Sequence, residues 1–238
     1  RNLSDMVAFN NQFGIIWDMD GVLADTGEFH YQANQRFFDE RGIPFDRQLF
    51  NNTFGLNNRA MIKIMLHGRI DERLVDDLTE IKEQYYRDAA RGNLELLPNV
   101  KHWLSRSREL GLKQAVSTSA PQANLDFLMD ETGLRPMFDI ICSAFDQPGK
   151  PDPATYNIAA HKLGLAPSHC VVIEDAIAGV EGAKRGGFKC IAVTTTNPPE
   201  NLQKADLVVE NLDTIQPEIL FSIFGLKSNS SPPINRNK

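Results

Sequence analysis

Long apolar runs are missing from this 238-residue chain. None approaches the ~20 residues that a membrane-crossing helix needs, so no membrane partner is expected. The first stretch, Arg1 to Gln12, is too polar to read as a secretory signal, and the expectation is a cytoplasmic protein. Cysteine is scarce as well. Cys142, Cys170 and Cys190 are an odd set, each in an apolar stretch, and they read as small buried hydrophobes in a reducing compartment rather than a disulfide framework. Cations are outnumbered, with 25 Lys and Arg against 31 Asp and Glu for a net charge of -6. That balance argues against a nucleic-acid partner, whose binding needs clustered Lys and Arg. It does not argue against a small anionic substrate, which a metal ion and a few local cations can hold.

What is present is an ordinary globular composition, 42% hydrophobic and 24% charged, enough to bury a sizeable core. Short apolar runs recur at Phe13–Trp17, Leu112–Ser117, Phe138–Cys142, Cys170–Ile173, Cys190–Val193 and Asp206–Val209. Amphipathic stretches separate them at Val100–Leu110, Pro121–Thr132, Pro153–Leu163, Ala176–Arg185 and Thr214–Phe224. Strands alternating with helices predict an α/β fold with a Rossmann-like parallel sheet. One interval breaks the alternation: Glu28–Leu97 shows helical patterns only, at Phe29–Arg41, Asn58–His67 and Glu72–Arg91. It is too long for one crossover and predicts an all-helical domain over residues 28–97, inserted into a core of residues 1–27 and 98–225. Leaving at the carboxyl end of the first strand, the insert would overhang the crevice where open α/β sheets bind ligands, as a cap. Within it, Met61 and Met65 are four apart and read as core. Residues 226–238, rich in Ser, Asn and Pro, read as a disordered tail.

Four features fall at the carboxyl ends of strands or just beyond them. The first strand runs into Asp18-Met-Asp20-Gly-Val-Leu; the second ends in Ser117-Thr118-Ser119; Gly149-Lys150-Pro151 sets a single cation before a helix; and Val171-Val-Ile-Glu174-Asp175 ends another strand in adjacent carboxylates. Alone, two carboxylates one residue apart could equally be a turn or helix cap. A parallel sheet, however, gathers all four at one crevice. Together they offer hard oxygen ligands for Mg²⁺, a nucleophile, and a cation with donors for a phosphoryl group's spreading charge. His67, His102, His161 and His169 have no comparable context and read as structural or surface residues.

In type, order and spacing these motifs resemble the four motifs of the haloacid dehalogenase superfamily, with the similarity running from about Phe13 to Gly225. The closest likeness is to the branch of β-phosphoglucomutase and small sugar-phosphate phosphatases, which carries a helical cap after the first motif. The resemblance implies Asp18 as a nucleophile that becomes phosphorylated and Asp20 as general acid, then base. It implies Mg²⁺ held by Asp18, the Asp20 carbonyl and Asp175 with support from Glu174, and a phosphoryl group bound by Thr118, Ser119 and Lys150. Dehalogenases of the superfamily do not need the second Asp, so Asp20 favours phosphoryl chemistry. In the cap, Thr26-Gly-Glu28-Phe-His30 resembles the mutase's lead into its cap, Gly55-Leu-Asn-Asn-Arg59 its phosphate-gripping loop with one residue more, and Lys82 a cap lysine. The implied activity is a phosphatase of a small phosphorylated metabolite. Alternatives are a phosphomutase and, from another class, a non-catalytic ligand-binding protein on the same fold.

Overall fold

The structure, a computed structural model, describes residues 9–53, 58–66 and 71–226; for residues 52, 58–60 and 72 it describes the backbone alone. Six parallel strands form one sheet in the order β3-β2-β1-β4-β5-β6: β1 (Gly14–Trp17), β2 (Lys113–Thr118), β3 (Ile140–Ser143), β4 (Cys170–Glu174), β5 (Lys189–Val193) and β6 (Leu207–Val209). Their residues alternate between two buried faces. Ile15, Trp17, Val116, Val171, Ile173, Ile191 and Val193 pack beneath α5 (Val100–Glu109), α6 (Gln122–Thr132) and α9 (Pro217–Ile223). Ile16, Ala115, Cys142, Cys170, Val172, Cys190 and Ala192 pack beneath α7 (Ala154–Leu163) and α8 (Ile177–Arg185). Burial on both faces is why these strands read as continuous apolar runs. All three cysteines are free and buried, and burial pushes the Cys170 thiol up to about 12, far from a reactive thiolate.

Strand order reverses between β1 and β4, which pair in register from Gly14 with Cys170 to Trp17 with Ile173. Asp18 therefore leaves β1 beside the Glu174 end of β4, at the point where a doubly wound sheet opens a crevice. Between β1 and β2, among the described residues, run four helices of the cap: α1 (Gly27–Asp39), α2 (Arg47–Thr53), α3 (Asn58–Met65) and α4 (Glu72–Ala90). They hold an aromatic core of their own, with Phe37, Phe38, Phe45, Phe50, Met61, Ile62 and Met65 buried together. A smaller cluster of Ala33, Tyr86, Ala90 and Phe127 joins α1 and α4 to α6 of the sheet domain. Helix α2 is an addition to the sequence reading. Its Asn-rich end hid a start signal, since Asp46 accepts from the Leu49 amide at 2.8 Å as a helix cap. Residues 227–238, nearly all of the expected tail, and His67 lie outside the described residues, among which no helix is long and apolar enough to cross a membrane.

Candidate active site

The Asp18-Met-Asp20-Gly21 turn is shaped by its glycine. Gly21 has φ +76°, and a Cβ there would stand 2.0 Å from Oδ2 of Asp175. Only a residue without a side chain lets the β4 carboxylate come this close to the β1 turn. Thr196 donates to the same Asp175 oxygen at 2.6 Å, and Asn197 donates to the Asp175 carbonyl at 3.0 Å. Carboxylate oxygens of Asp18, Glu174 and Asp175, all buried, lie within 4.8 Å of one another.

Lys150 stands among them. Its ammonium donates to Asp18 Oδ1 at 2.7 Å and to Glu174 Oε1. Glu174 is held on every side: Tyr156 donates its hydroxyl at 2.6 Å to the oxygen that Lys150 uses, and the amides of Asp175 and Ala176 donate to the other at 2.8 and 2.9 Å. Its carboxyl accordingly titrates below the ordinary range, because Lys150 and these donors outweigh its burial. Asp18 has less support. Burial pushes it up to about 7 against the pull of Lys150, with the nearby Glu174 charge adding to the rise. Asp175 is raised well above the usual carboxylate range by burial and by the charges of Glu174 and Asp18. The cluster thus carries more buried negative charge than Lys150 alone balances, in an all-oxygen donor set suited to a hard divalent cation. By the character of the donors and by this excess, Asp18 and Asp175 fit such an ion, and Glu174 fits as support for Lys150.

Asp20 lies on the cavity side of the turn. It accepts from Thr26 at 2.6 Å and stands 3.4 Å from Nε2 of His30. Burial alone would raise its pKa, but the bonds from His30 and Thr26 hold it below the ordinary value. The His30 ring is stacked on Tyr86 at 4.0 Å between centroids, 2° from coplanar, so α1 and α4 together fix its orientation. Thr118 and Ser119 stand at the end of β2. The Thr118 oxygen accepts the Ala120 amide at 3.1 Å, which leaves the hydroxyl proton free to face a ligand.

A cavity of about 130 Å³ takes in Asp18, Asp20, Thr118, Ser119, Lys150 and Asp175 from the sheet, with His30, Asn34, Lys82 and Glu83 from the cap. Every candidate residue whose side chain is described therefore belongs to this one site, Glu174 through Lys150. Lys82 is buried and paired with Glu83, so it brings a charge pair rather than a bare cation. Arg59 is in the first turn of α3, while its side chain and residues 55–57 of the expected loop lie outside the described residues. Tyr156, Thr196 and Glu83 escaped the sequence reading. None stands in a motif, and each acts by position in space. Gly179 escaped it too, as one small residue early in α8. A Cβ at Gly179 would fall 2.0 Å from Glu174 Oε1. Gly179→Ala is expected to displace that carboxylate and cost about 2–3 kcal/mol, seen as a melting temperature lower by roughly 5–10 °C; an unchanged melt would show that Glu174 has room to move.

The profile of the family described as haloacid dehalogenase-like hydrolase matches residues 15–193. The chain belongs to this family. Within it, the chain falls in the β-phosphoglucomutase-like branch. A phosphorylated carbohydrates phosphatase of Thermotoga maritima is 30% identical over 216 residues, which cover 88% of this chain and 96% of that one. The β-phosphoglucomutase of Bacillus subtilis is 27% identical over 214 residues, 87% of this chain and 92% of its own. A solved β-phosphoglucomutase structure from Clostridium difficile superposes with a TM-score of 0.80 at 24% identity, covering 92% of this chain and 98% of that one, a likeness of fold.

Proposed function

We propose that this protein is a Mg²⁺-dependent phosphatase of a small phosphorylated metabolite, working through a phosphorylated Asp18. The observation that carries the reading is Asp18 itself, a buried carboxylate oriented by Lys150 at 2.7 Å and facing a cavity that also contains Asp20, Thr118 and Ser119. Such a site supplies a nucleophile, an acid–base partner and phosphate donors within one enclosed space.

A carboxylate oxygen of Asp18 attacks phosphorus, and the bond from phosphorus to the ester oxygen breaks. Asp20 gives its proton to that oxygen, which leaves as an alcohol. In the free protein Asp20 is held ionised by His30 and Thr26, so the proton must arrive as the substrate's negative charge enters beside it. Asp20 then takes a proton from water, which attacks the same phosphorus and breaks its bond to Asp18, freeing inorganic phosphate. Lys150, the Thr118 hydroxyl and Ser119 hold the phosphoryl oxygens while charge shifts among them. Mg²⁺, held by Asp18, the Asp20 carbonyl and Asp175, would neutralise part of that charge. Residues 28–97 form the cap and residues 1–27 with 98–225 the core, so closure keeps bulk water out and selects the leaving group.

A phosphomutase is the second reading, favoured by buried Lys82 in the same cavity, where a cation could meet a distal phosphate. Its pairing with Glu83 weakens that case, because the pair is already neutral. The deciding experiment offers a panel of phosphorylated metabolites with Mg²⁺ and reads phosphate release and isomer conversion in parallel. Release without isomerisation supports the phosphatase, conversion of a sugar-phosphate isomer the mutase, and silence throughout overturns both.

Metal loading should also depend on pH. With Asp18 pushed up to about 7 and Asp175 raised as well, a cation must displace protons at lower pH. Affinity for Mg²⁺ in calorimetric titration should rise at least about tenfold per pH unit between pH 5 and 6 and flatten only where both carboxyls have lost their protons. Affinity that does not change over that range would count against these two carboxylates as the ligands.

A further inference from the structure

Asn34 is a polar group of the cavity that the proposed chemistry leaves unused. It is 3% exposed, it lines the cavity, and its amide Oδ1 has no hydrogen-bond partner among the described residues. A buried acceptor left without a donor is costly, and proteins rarely keep one where an apolar side chain would fit. Its place in the fold says what could satisfy it. Asn34 follows His30 by four residues on α1, so the two share a face of the helix one turn apart. His30 reaches Asp20, the group that protonates the leaving oxygen. Asn34 therefore stands one turn farther into the cap, over the space that the leaving group occupies beyond that oxygen.

From this we infer that Asn34 is a specificity-determining residue, whose side-chain amide forms a hydrogen bond with a hydroxyl on the substrate's leaving group. The inference rests on the phosphoryl-transfer reading of the site and adds what selects the alcohol. A hydroxyl satisfies the amide in either orientation of its oxygen and nitrogen, since it can donate or accept. An alkyl or aryl leaving group would cover the amide and leave it unpaired when the cap closes. Sites with an unpaired buried polar group discriminate strongly against a ligand that lacks the partner.

The test uses the full chain with Mg²⁺ and two esters of equal carbon count, glycerol 3-phosphate and propyl phosphate. The wild-type protein should prefer the hydroxylated ester by at least about tenfold in kcat/KM. Asn34→Leu should reduce that ratio to within about threefold of unity, and Asn34→Asp, which keeps an acceptor of the same shape, should retain most of it. A merely structural role would not move the ratio. Asn34→Leu should also melt at the same temperature as the wild type or higher, because an unpaired acceptor is replaced by an apolar group of like size. Equal wild-type rates on the pair, turnover of other esters but of neither of these, a preference that survives in Asn34→Leu, or a melting temperature several degrees lower in that variant would each overturn the assignment of Asn34. Absence of hydrolysis of every phosphate ester would instead overturn the phosphatase reading beneath it.

Discussion

Asp18→Asn is expected to lower phosphate release by at least about 10³-fold while the chain stays folded. An amide has the shape of the carboxylate but is a poor nucleophile. Stability should move the other way. Burial pushes Asp18 up to about 7, above its ordinary 3.8, so the folded state holds a proton there that the unfolded state has released. A group raised in this way contributes its full stability below the unfolded value and loses it as pH climbs through the folded one. At pH 8 without metal, the wild-type protein therefore bears the whole cost of a buried Asp18 charge, only partly offset by Lys150. Asn removes that charge, its oxygen can still accept from Lys150, and Lys150 keeps Glu174 as an ionic partner. The variant should thus melt no lower than wild type at pH 8 without metal, with the gap closing toward pH 4. Release above a few per cent of the wild-type rate would mean that another group takes the phosphoryl, and a large loss of stability at pH 8 would mean that the Asp18 charge is better compensated than its surroundings suggest.

The parts of this molecule legible in its sequence are those whose physics is local. Strands buried on both faces must be apolar throughout, so all six could be found as short runs, and the long helical interval after the first strand could be recognised as an insert. The motif residues were legible because a parallel sheet forces loop residues at its carboxyl edge into one crevice, whatever their separation along the chain. Helix α2 was obscured by Asn51, Asn52 and Thr53, residues of low helix propensity that tertiary packing of Phe50 overrides. Partners that act by reaching across space left no trace. Tyr156 holds Glu174 from α7, Thr196 holds Asp175 from the loop after β5, and Glu83 accepts from Asn124 across the junction of cap and sheet. None of these pairings has a fixed spacing. The same holds for Asn34, whose interest lies in a missing partner.

Lys150→Met is the sharpest test of how the core of the site is held together. Methionine keeps much of the length and the apolar stem of lysine, so the change isolates the ammonium. That ammonium lies between Asp18 and Glu174, and it is the largest influence lowering the pKa of each against their burial. Without it, three neighbouring carboxylates share one buried region with the main charge that offsets Asp18 and Glu174 gone. Breaking a buried ionic network by removing one partner costs about 3–5 kcal/mol, which in a chain of this size corresponds to a melting temperature lower by roughly 10 °C. The sign of the pH dependence follows. Loss of Lys150 raises the folded-state value of Asp18 further above its unfolded one and removes the main influence that holds Glu174 below its own, so the deficit grows as pH rises from about 4 and is largest above neutrality. The melting difference from wild type, measured without metal, should therefore be smaller at pH 5 than at pH 8, and Mg²⁺ should recover part of it at pH 8 by returning positive charge to the cluster. Turnover should fall by at least about 10²-fold even with saturating metal, because Asp18 loses the donor that orients it and the phosphoryl oxygens lose a charged partner. If the melting difference is the same at both pH values, the ammonium is not what balances these carboxylates. If turnover survives within a few fold, Lys150 supports the fold alone and the phosphoryl group is gripped elsewhere.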